Sequence, residues 1–368
     1  MSTALALAKR GMPSLVLEQA AEFKEVGAGI QLGPNSWRAL RELDIEDAAK
    51  KVAVFPEALV MMDSLSSEQV VSIPLGGFEK RFGAPYALAH RADLLKVFLD
   101  ACKAEAKITL ETSRHVKSFA DDGKSVRIAT SEGQAYDAPA FIGADGLWST
   151  VRGQLIGDGR PRVSGHISYR SVLRAEDVPD YLRRWEMVLW AGPKCHMVHY
   201  PLRGGELFNL VATFHSNRYE EGWNAHGDPA ELHEHYKETC ADVKLMLSKI
   251  AAWRMWVLCD REPIKMWSKG RVTLTGDAAH PMLQYLAQGA GMAMEDALCL
   301  AKCLDESASV EAAFEAYPLK RYLRTGRVQL AARLYGEFYH ADGVRRELRN
   351  EYVKKASYEG LAWLYDPA

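Results

Sequence analysis

Two segments of this chain set a carboxylate at the tip of a glycine-bounded turn. In Phe141-Ile142-Gly143-Ala144-Asp145-Gly146 an apolar strand runs into Asp145, and Ser149 and Arg152 open a helix behind it. Leu274-Thr275-Gly276-Asp277-Ala278-Ala279-His280-Pro281 repeats the arrangement late in the chain. Glycines let a backbone approach a phosphate closely, and a helix N-terminus favours an anion. An acid at the end of such a strand can accept from ribose or ribityl hydroxyls. A third acid, Glu18, closes the short apolar run Ser14-Leu15-Val16-Leu17. After the second turn, Gln288-Gly289-Ala290-Gly291-Met292-Ala293 opens a helix with residues small enough for a flat ligand to lie against it. Its dipole would stabilise negative charge on that ligand by up to ~2 kcal/mol.

A second kind of chemistry is available around His196. His196 and Tyr200 are four apart in Gly192-Pro193-Lys194-Cys195-His196-Met197-Val198-His199-Tyr200. On a strand that even spacing puts both on one face and His199 on the other. Other reactive residues read as structural. His233 and His235 are two apart on an expected helix and do not share a face. Cys299 and Cys303 read as core packing. The chain shows no Gly-x-Ser-x-Gly elbow and no metal cluster, and the charged runs near 41–51 and 345–355 read as solvated helix faces.

The elements that must position these residues follow from pattern. Ser2 to Arg10 reads as a helix with Gly11 as its C-terminal glycine, followed by the Ser14–Leu17 strand. Together they form the second half of a dinucleotide-binding βαβ unit. A glycine-containing loop, Val26 to Pro34, precedes a helix capped by Asn35 or Ser36 that carries Trp37, Leu40 and Leu43 on one side. A helix from His90-Arg91 to about Ala106 and strands over 108–142 come next, with a turn at Asp122-Gly123. From about 158 to 260 the text is strand-rich and aromatic, with a hairpin turn at Arg203-Gly204-Gly205, and it reads as an antiparallel lobe inserted in an α/β domain. The expected units are a discontinuous cofactor domain (1–57, 85–157 and 260–309), a substrate lobe (58–84 and 158–259) and a C-terminal helical segment (310–368).

Composition narrows the function classes. The 368 residues suit two interleaved units better than one core. A formal charge of -2 carries no basic footprint for nucleic acid or an anionic membrane. Six cysteines without a C-x-x-C pair fit a reducing, cytoplasmic setting. The Ala/Leu run at 4–8 is too short to span a bilayer.

The two strand-to-Asp turns on either side of an aromatic lobe, with Glu18 and Arg91, resemble the group A flavoprotein aromatic hydroxylases. The resemblance covers essentially the whole chain from Ser2. Ala53 to Asp63, Gly192 to Arg203, Leu283 to Ala290 and Tyr358 to Asp366 are similar to the members that convert 3-hydroxybenzoate to gentisate. It implies FAD as cofactor, NADH as cosubstrate, and O2 and a small aromatic acid as reactants. It further implies delivery of oxygen by a flavin C4a-hydroperoxide to the position para to the phenol oxygen. In that reading His196 activates the phenol, and Tyr200 and Gln284 orient the ring. The cofactor would be held by Glu18, Gln31, Arg91, Val116, Asp145, Asp277, Pro281, Gly289 and Ala290. A homodimer is compatible with it. The family pattern has a strand and G-x-G-x-x-G turn that do not precede Ser2 here, so the functional chain is expected to extend upstream of Met1. Two alternatives stand: a salicylate 1-hydroxylase or related hydroxybenzoate or hydroxypyridine hydroxylase, and a truncated, FAD-free homologue without activity.

Overall fold

The computed structural model describes residues 1–24, 29–217 and 225–367. Val26, Gly27 and Ala28 of the expected glycine loop lie outside them. The chain starts with a helix, Ser2–Lys9, whose residues Ala4 to Ala8 are all buried. Gly11 follows at φ 80°, a conformation only glycine adopts without strain, and turns the chain into the Ser14–Leu17 strand. That strand pairs in parallel with Ile108–Glu111, and Phe141–Gly143 pairs in parallel with Val272–Leu274. Among the described residues these two parallel pieces are separate ladders. Helices Ser2–Lys9, Pro34–Glu42, Arg91–Ala104 and Gly289–Glu306 share one apolar cluster that includes Trp37, Leu40, Phe98 and Ala297. Asn35 and Ser36 do not cap the second of these helices. Its cap is Gly33, and Asn35 is buried in the first turn, where Nδ2 donates to Gln288 Oε1 and Glu295 Oε1 at 2.9 and 2.8 Å. The buried contacts across helices outweigh the local cap.

The largest layer is an eight-stranded sheet. In spatial order it runs Ala225–Gly227, Trp253–Asp260, Arg162–Arg174, Leu207–His215, Cys195–Leu202, Met187–Gly192, Ala58–Asp63 and Gln69–Pro74. All neighbours are antiparallel except Met187–Gly192 with Ala58–Asp63. Strand alternation divides its residues cleanly. Tyr169, Trp190, Met197, Phe208, Leu210 and Phe214 point to one face and pack on helices Pro229–His235 and Ala241–Ser248 through Leu232, Val243 and Met246. Burying each large apolar side chain there contributes about 1.5–3 kcal/mol. The opposite face is unusually polar and carries the site.

A 30-residue helix, Val310–Tyr339, crosses the molecule and packs on the Gly289–Glu306 helix. The next helix, Gly343–Val353, exposes Arg345, Glu347 and Glu351 as expected of a solvated face, but two of its arginines turn inward. Arg346 binds both oxygens of Asp63 at 2.7 and 2.6 Å, and Arg349, 2% exposed, reaches the same carboxylate. Asp63 is buried on the sheet, and a buried carboxylate needs such partners. No helix among the described residues is long and apolar enough to cross a membrane.

Candidate active site

The polar face of the sheet is written at every second residue of three adjacent strands. Arg162–Arg174 contributes His166, Ser168 and Arg170; Leu207–His215 contributes Asn209, Thr213 and His215; Cys195–Leu202 contributes His196 and Tyr200. The register sets Thr213 opposite both Ser168 and His196, and Asn209 opposite Tyr200. His199 faces the other way and accepts a hydrogen bond from Trp190 Nε1 at 3.2 Å. Gln284, in a single 3-10 turn, comes down on this face: its Nε2 donates to Thr213 Oγ1 at 2.9 Å and Ser168 Oγ at 3.2 Å, and its Oε1 accepts from Arg170. The structure therefore brings His196, Tyr200 and Gln284 onto one surface.

Tyr200 sits where this surface meets the cofactor-side strands. A Cβ at Gly29 would stand 2.4 Å from Tyr200 Oη, so only glycine permits the approach. The Gly29 amide donates to Asn209 Oδ1 at 2.9 Å. Gln31, two residues on, accepts from Tyr86 Oη. Burial pushes the Tyr200 phenol up to about 12, against the pull of the Arg170 and Arg91 guanidinium groups, and keeps it a donor at neutral pH. Asn209 is fully buried and its Nδ2 has no partner among the described residues. Arg170, Ser168, Asn209 and Thr213 were not singled out from the sequence. Their signal was available, because polar residues recur with period two in strands that are otherwise apolar.

The residues expected on the cofactor side occupy strand ends and helix starts. Glu18 follows the Ser14–Leu17 strand and accepts from the Ala20 amide at 2.8 Å, and its carbonyl accepts from Arg114 N, which leads into Val116. Arg91 is the first residue of its helix. Asp145 is engaged in capping: Oδ2 accepts from the Val151 amide at 3.1 Å and Oδ1 from Ser149 Oγ, at the start of the Thr150–Leu155 helix. Asp277 differs. Its side chain is exposed, although the protein around it is dense enough to desolvate its charge. Desolvation raises its pKa, while His280 and Arg91 pull it down. A Cβ at Gly289 would lie 3.6 Å from Asp277 Oδ1, so the glycine leaves the acid approachable. Gly289 and Ala290 begin the 289–306 helix, and Pro281 is buried, its carbonyl accepting from Gln329 Nε2 at 3.0 Å.

A buried ionic network anchors this turn and helix start. Asp296 accepts from the Gly276 amide at 3.1 Å and from Arg321 Nε at 2.8 Å, and it also bonds His280 Nε2. His280 and Arg321 hold its carboxyl far below the usual range in spite of burial. An exposed acid beside a helix start that carries Gly289 and Gly291 suits a ligand bearing hydroxyls and phosphates, and the residues fit a dinucleotide such as FAD.

No metal cluster shows in the sequence, yet the fold gathers histidines whose spacing in the chain gives no sign of it. His166, His215 and His340 gather with one nitrogen of each within 4.8 Å of the others, and His196 adjoins them. They come from two strands and the end of the 310–339 helix, so no sequence spacing announces them.

A split parallel layer with acids at its strand ends, joined to an antiparallel lobe with a polar inner face, defines a flavin-binding hydroxylase fold. The family model described as FAD binding domain matches residues 1–328, and the chain belongs to this family of FAD-dependent aromatic monooxygenases. It is 43% identical over 372 residues to 3-hydroxybenzoate 6-hydroxylase 1 of Aquipseudomonas alcaligenes, covering 99% of this chain and 94% of that protein. A 3-hydroxybenzoate 6-hydroxylase of Klebsiella oxytoca is 43% identical over 370 residues, covering 99% and 93%. Among solved structures, Klebsiella pneumoniae HpxO complexed with FAD and uric acid superposes with a TM-score of 0.87 at 21% identity, over 100% of this chain and 94% of that one.

Proposed function

We propose that the chain hydroxylates 3-hydroxybenzoate para to its hydroxyl, giving gentisate, with NADH as electron donor. The observation that carries this reading is His196 and Tyr200 on one face of one strand beneath Gln284, and the relatives named above support the substrate. Bound FAD supplies the electrons drawn from NADH and the activated oxygen. The protein's own task is to make the ring electron-rich and to hold it.

Burial lowers the His196 imidazole to about 3, so it is neutral at pH 7 and offers a ring nitrogen to the phenol O–H; being so weak a base, it can take that proton only as its other nitrogen gives one up. A phenolate directs electron density to the carbon para to it, where an electrophilic oxygen adds. Tyr200, protonated, donates to a substrate oxygen, and Gln284 fixes the ring's edge. Arg170 and the Asn209 amide lie on the same face, with a charge and a donor suited to a carboxylate. On the cofactor side, Glu18 takes the adenosine ribose and Asp277 the ribityl chain. Arg91, Gly289 and Ala290 take the phosphates and flavin edge, with Gln31, Val116, Asp145 and Pro281 lining the path. The cofactor unit comprises 1–57, 85–157 and 260–309, the lobe 58–84 and 158–259, and the helical segment 310–368.

The test is product analysis. The FAD-loaded protein with 3-hydroxybenzoate and NADH yields gentisate; catechol from salicylate, with 3-hydroxybenzoate untouched, overturns the assignment. His196→Ala lowers hydroxylation by about 10²–10⁴ while flavin content is unchanged.

A further inference from the structure

The four clustered histidines are not equivalent. His196 Nδ1 lies 2.7 Å from His340 Nε2, and His340 Nδ1 lies 3.0 Å from His215 Nε2. These are hydrogen-bond separations, so each pair shares one proton. His166 stands off this line, where its Nδ1 shares a hydrogen bond with Tyr285 Oη at 2.6 Å and its ring stacks on His215 at 4.4 Å between centroids. Stacked rings present their in-plane lone pairs side by side, not at a common point, which suits a metal ion poorly. The backbone fixes the line: His340 O accepts from the Lys194 amide and Lys194 O from the His215 amide, both at 3.0 Å.

The line has a buried end and an open end. His196 is 3% exposed and belongs to the surface assigned to the substrate, and its Nε2 makes no hydrogen bond among the described residues. His215 is only half-buried. It faces Glu337, which with His166 lines a solvent-open cleft of about 490 Å3 beside the 310–339 helix. Burial keeps all the rings neutral at pH 7; Lys194 and Asp342 also face His215, Arg349 faces His340, and Arg162 faces His166.

We propose that His196, His340 and His215 form a proton relay that carries the substrate's phenol proton from the buried site to solvent. This rests on the assignment of His196 as the phenol's acceptor. Before transfer each ring holds its proton on Nδ1: His196 donates to His340 Nε2, and His340 donates to His215 Nε2. The phenol O–H bond breaks and its proton bonds to His196 Nε2. The His196 Nδ1 proton passes to His340 Nε2, the His340 Nδ1 proton to His215 Nε2, and the His215 Nδ1 proton leaves to water. The rings end neutral in the opposite tautomer, so no charge is stranded in the protein, and phenolate is the only new anion. His340 and His215 never touch substrate; they are positioning residues that act through His196.

The experiment uses the oxidised, FAD-loaded protein mixed rapidly with 3-hydroxybenzoate in weak buffer. A pH-indicator dye reads proton release, and ultraviolet difference absorbance reads phenolate formation. Wild type and the control His233→Ala, on the exposed side of the Pro229–His235 helix, release a proton in step with phenolate formation. His340→Ala and His215→Ala slow release by more than about tenfold with affinity for 3-hydroxybenzoate little changed, and millimolar imidazole restores the rate. Release at the wild-type rate in both variants overturns the relay. So does a slow rate that imidazole leaves unrestored, which assigns the residues a packing role. Stoichiometric transition metal in the purified protein also overturns it. A wild-type protein that neither binds nor hydroxylates 3-hydroxybenzoate defeats the substrate reading itself, and the relay falls with it.

Discussion

The two halves of the site are built by opposite means. On the cofactor side, Glu18, Asp145, Asp277 and Gly289 stand where a short strand ends or a helix begins, and each is recognisable from a handful of neighbouring residues. On the lobe side, the working surface is assembled from strands that begin at 162, 195 and 207, with a single turn at 284 and a helix end at 340. Local geometry suffices to aim a carboxylate at a hydroxyl. Enclosing a small aromatic ring requires donors from several directions, and only long-range pairing supplies them.

The contrast also appears in electrostatics. The cofactor side holds its charges in ionised pairs, Asp296 with Arg321 and Glu295 with Arg321 and Arg324. The lobe side pairs Asp63 in the same way but holds its buried histidines neutral, with His196 lowered to about 3 and His166 and His199 to about 4 by burial.

Disrupting the ionised side should cost most. Asp296→Ala removes one of the two carboxylates that pair the buried Arg321 and leaves His280 Nε2 and the Gly276 amide without their acceptor, and should destabilise the protein by about 3 kcal/mol, the low end for breaking a buried pair. Chemical denaturation checks it, and retention of flavin should fall in parallel. Acid should then reveal the neutral side. The folded-state pKa values of these histidines lie below the unfolded value of about 6.5, so on acidification the unfolded chain takes up protons that the folded chain refuses. Stability is therefore full above about pH 6.5 and declines as pH falls towards about 4, by up to about 1.4 kcal/mol per pH unit for each histidine. Replacing His199, which lies outside the relay, by Gln should flatten this slope in denaturation curves taken from pH 7 to 4.5. The Asp296 carboxylate contributes in a different window, since its depressed pKa adds stability that is lost only as pH falls below the normal carboxylate range. The smallest effect should come from Asp145→Ala, which removes the cap on Val151 and costs about 1 kcal/mol by thermal unfolding. A much larger loss of flavin than of stability would show that this acid serves the cofactor beyond its cap.

How much could be read in advance follows the same division. Helix Ser2–Lys9, strand Ser14–Leu17 and the turn at Gly11 match their patterns because period and punctuation act over a few residues. Likewise, the shared face of His196 and Tyr200 needed only the two-residue period of a strand. Asn35 escaped local logic, since its side chain is drawn from capping to Gln288 and Glu295 across the core. Arg346 and Arg349 escaped it too, because their partner Asp63 is buried on the lobe sheet.

The amino-acid sequence by itself determined the acids at the strand ends, the small residues at the start of the 289–306 helix and which strand faces are apolar. These depend on backbone geometry that repeats within one or two turns. Only the tertiary structure decided that His166, His196, His215 and His340 meet, that Gln284 lands on Thr213, and that a C-terminal helix neutralises Asp63. Those contacts join segments far apart in the chain. What selects them is the burial of polar groups that must find partners wherever the packed core leaves one within reach.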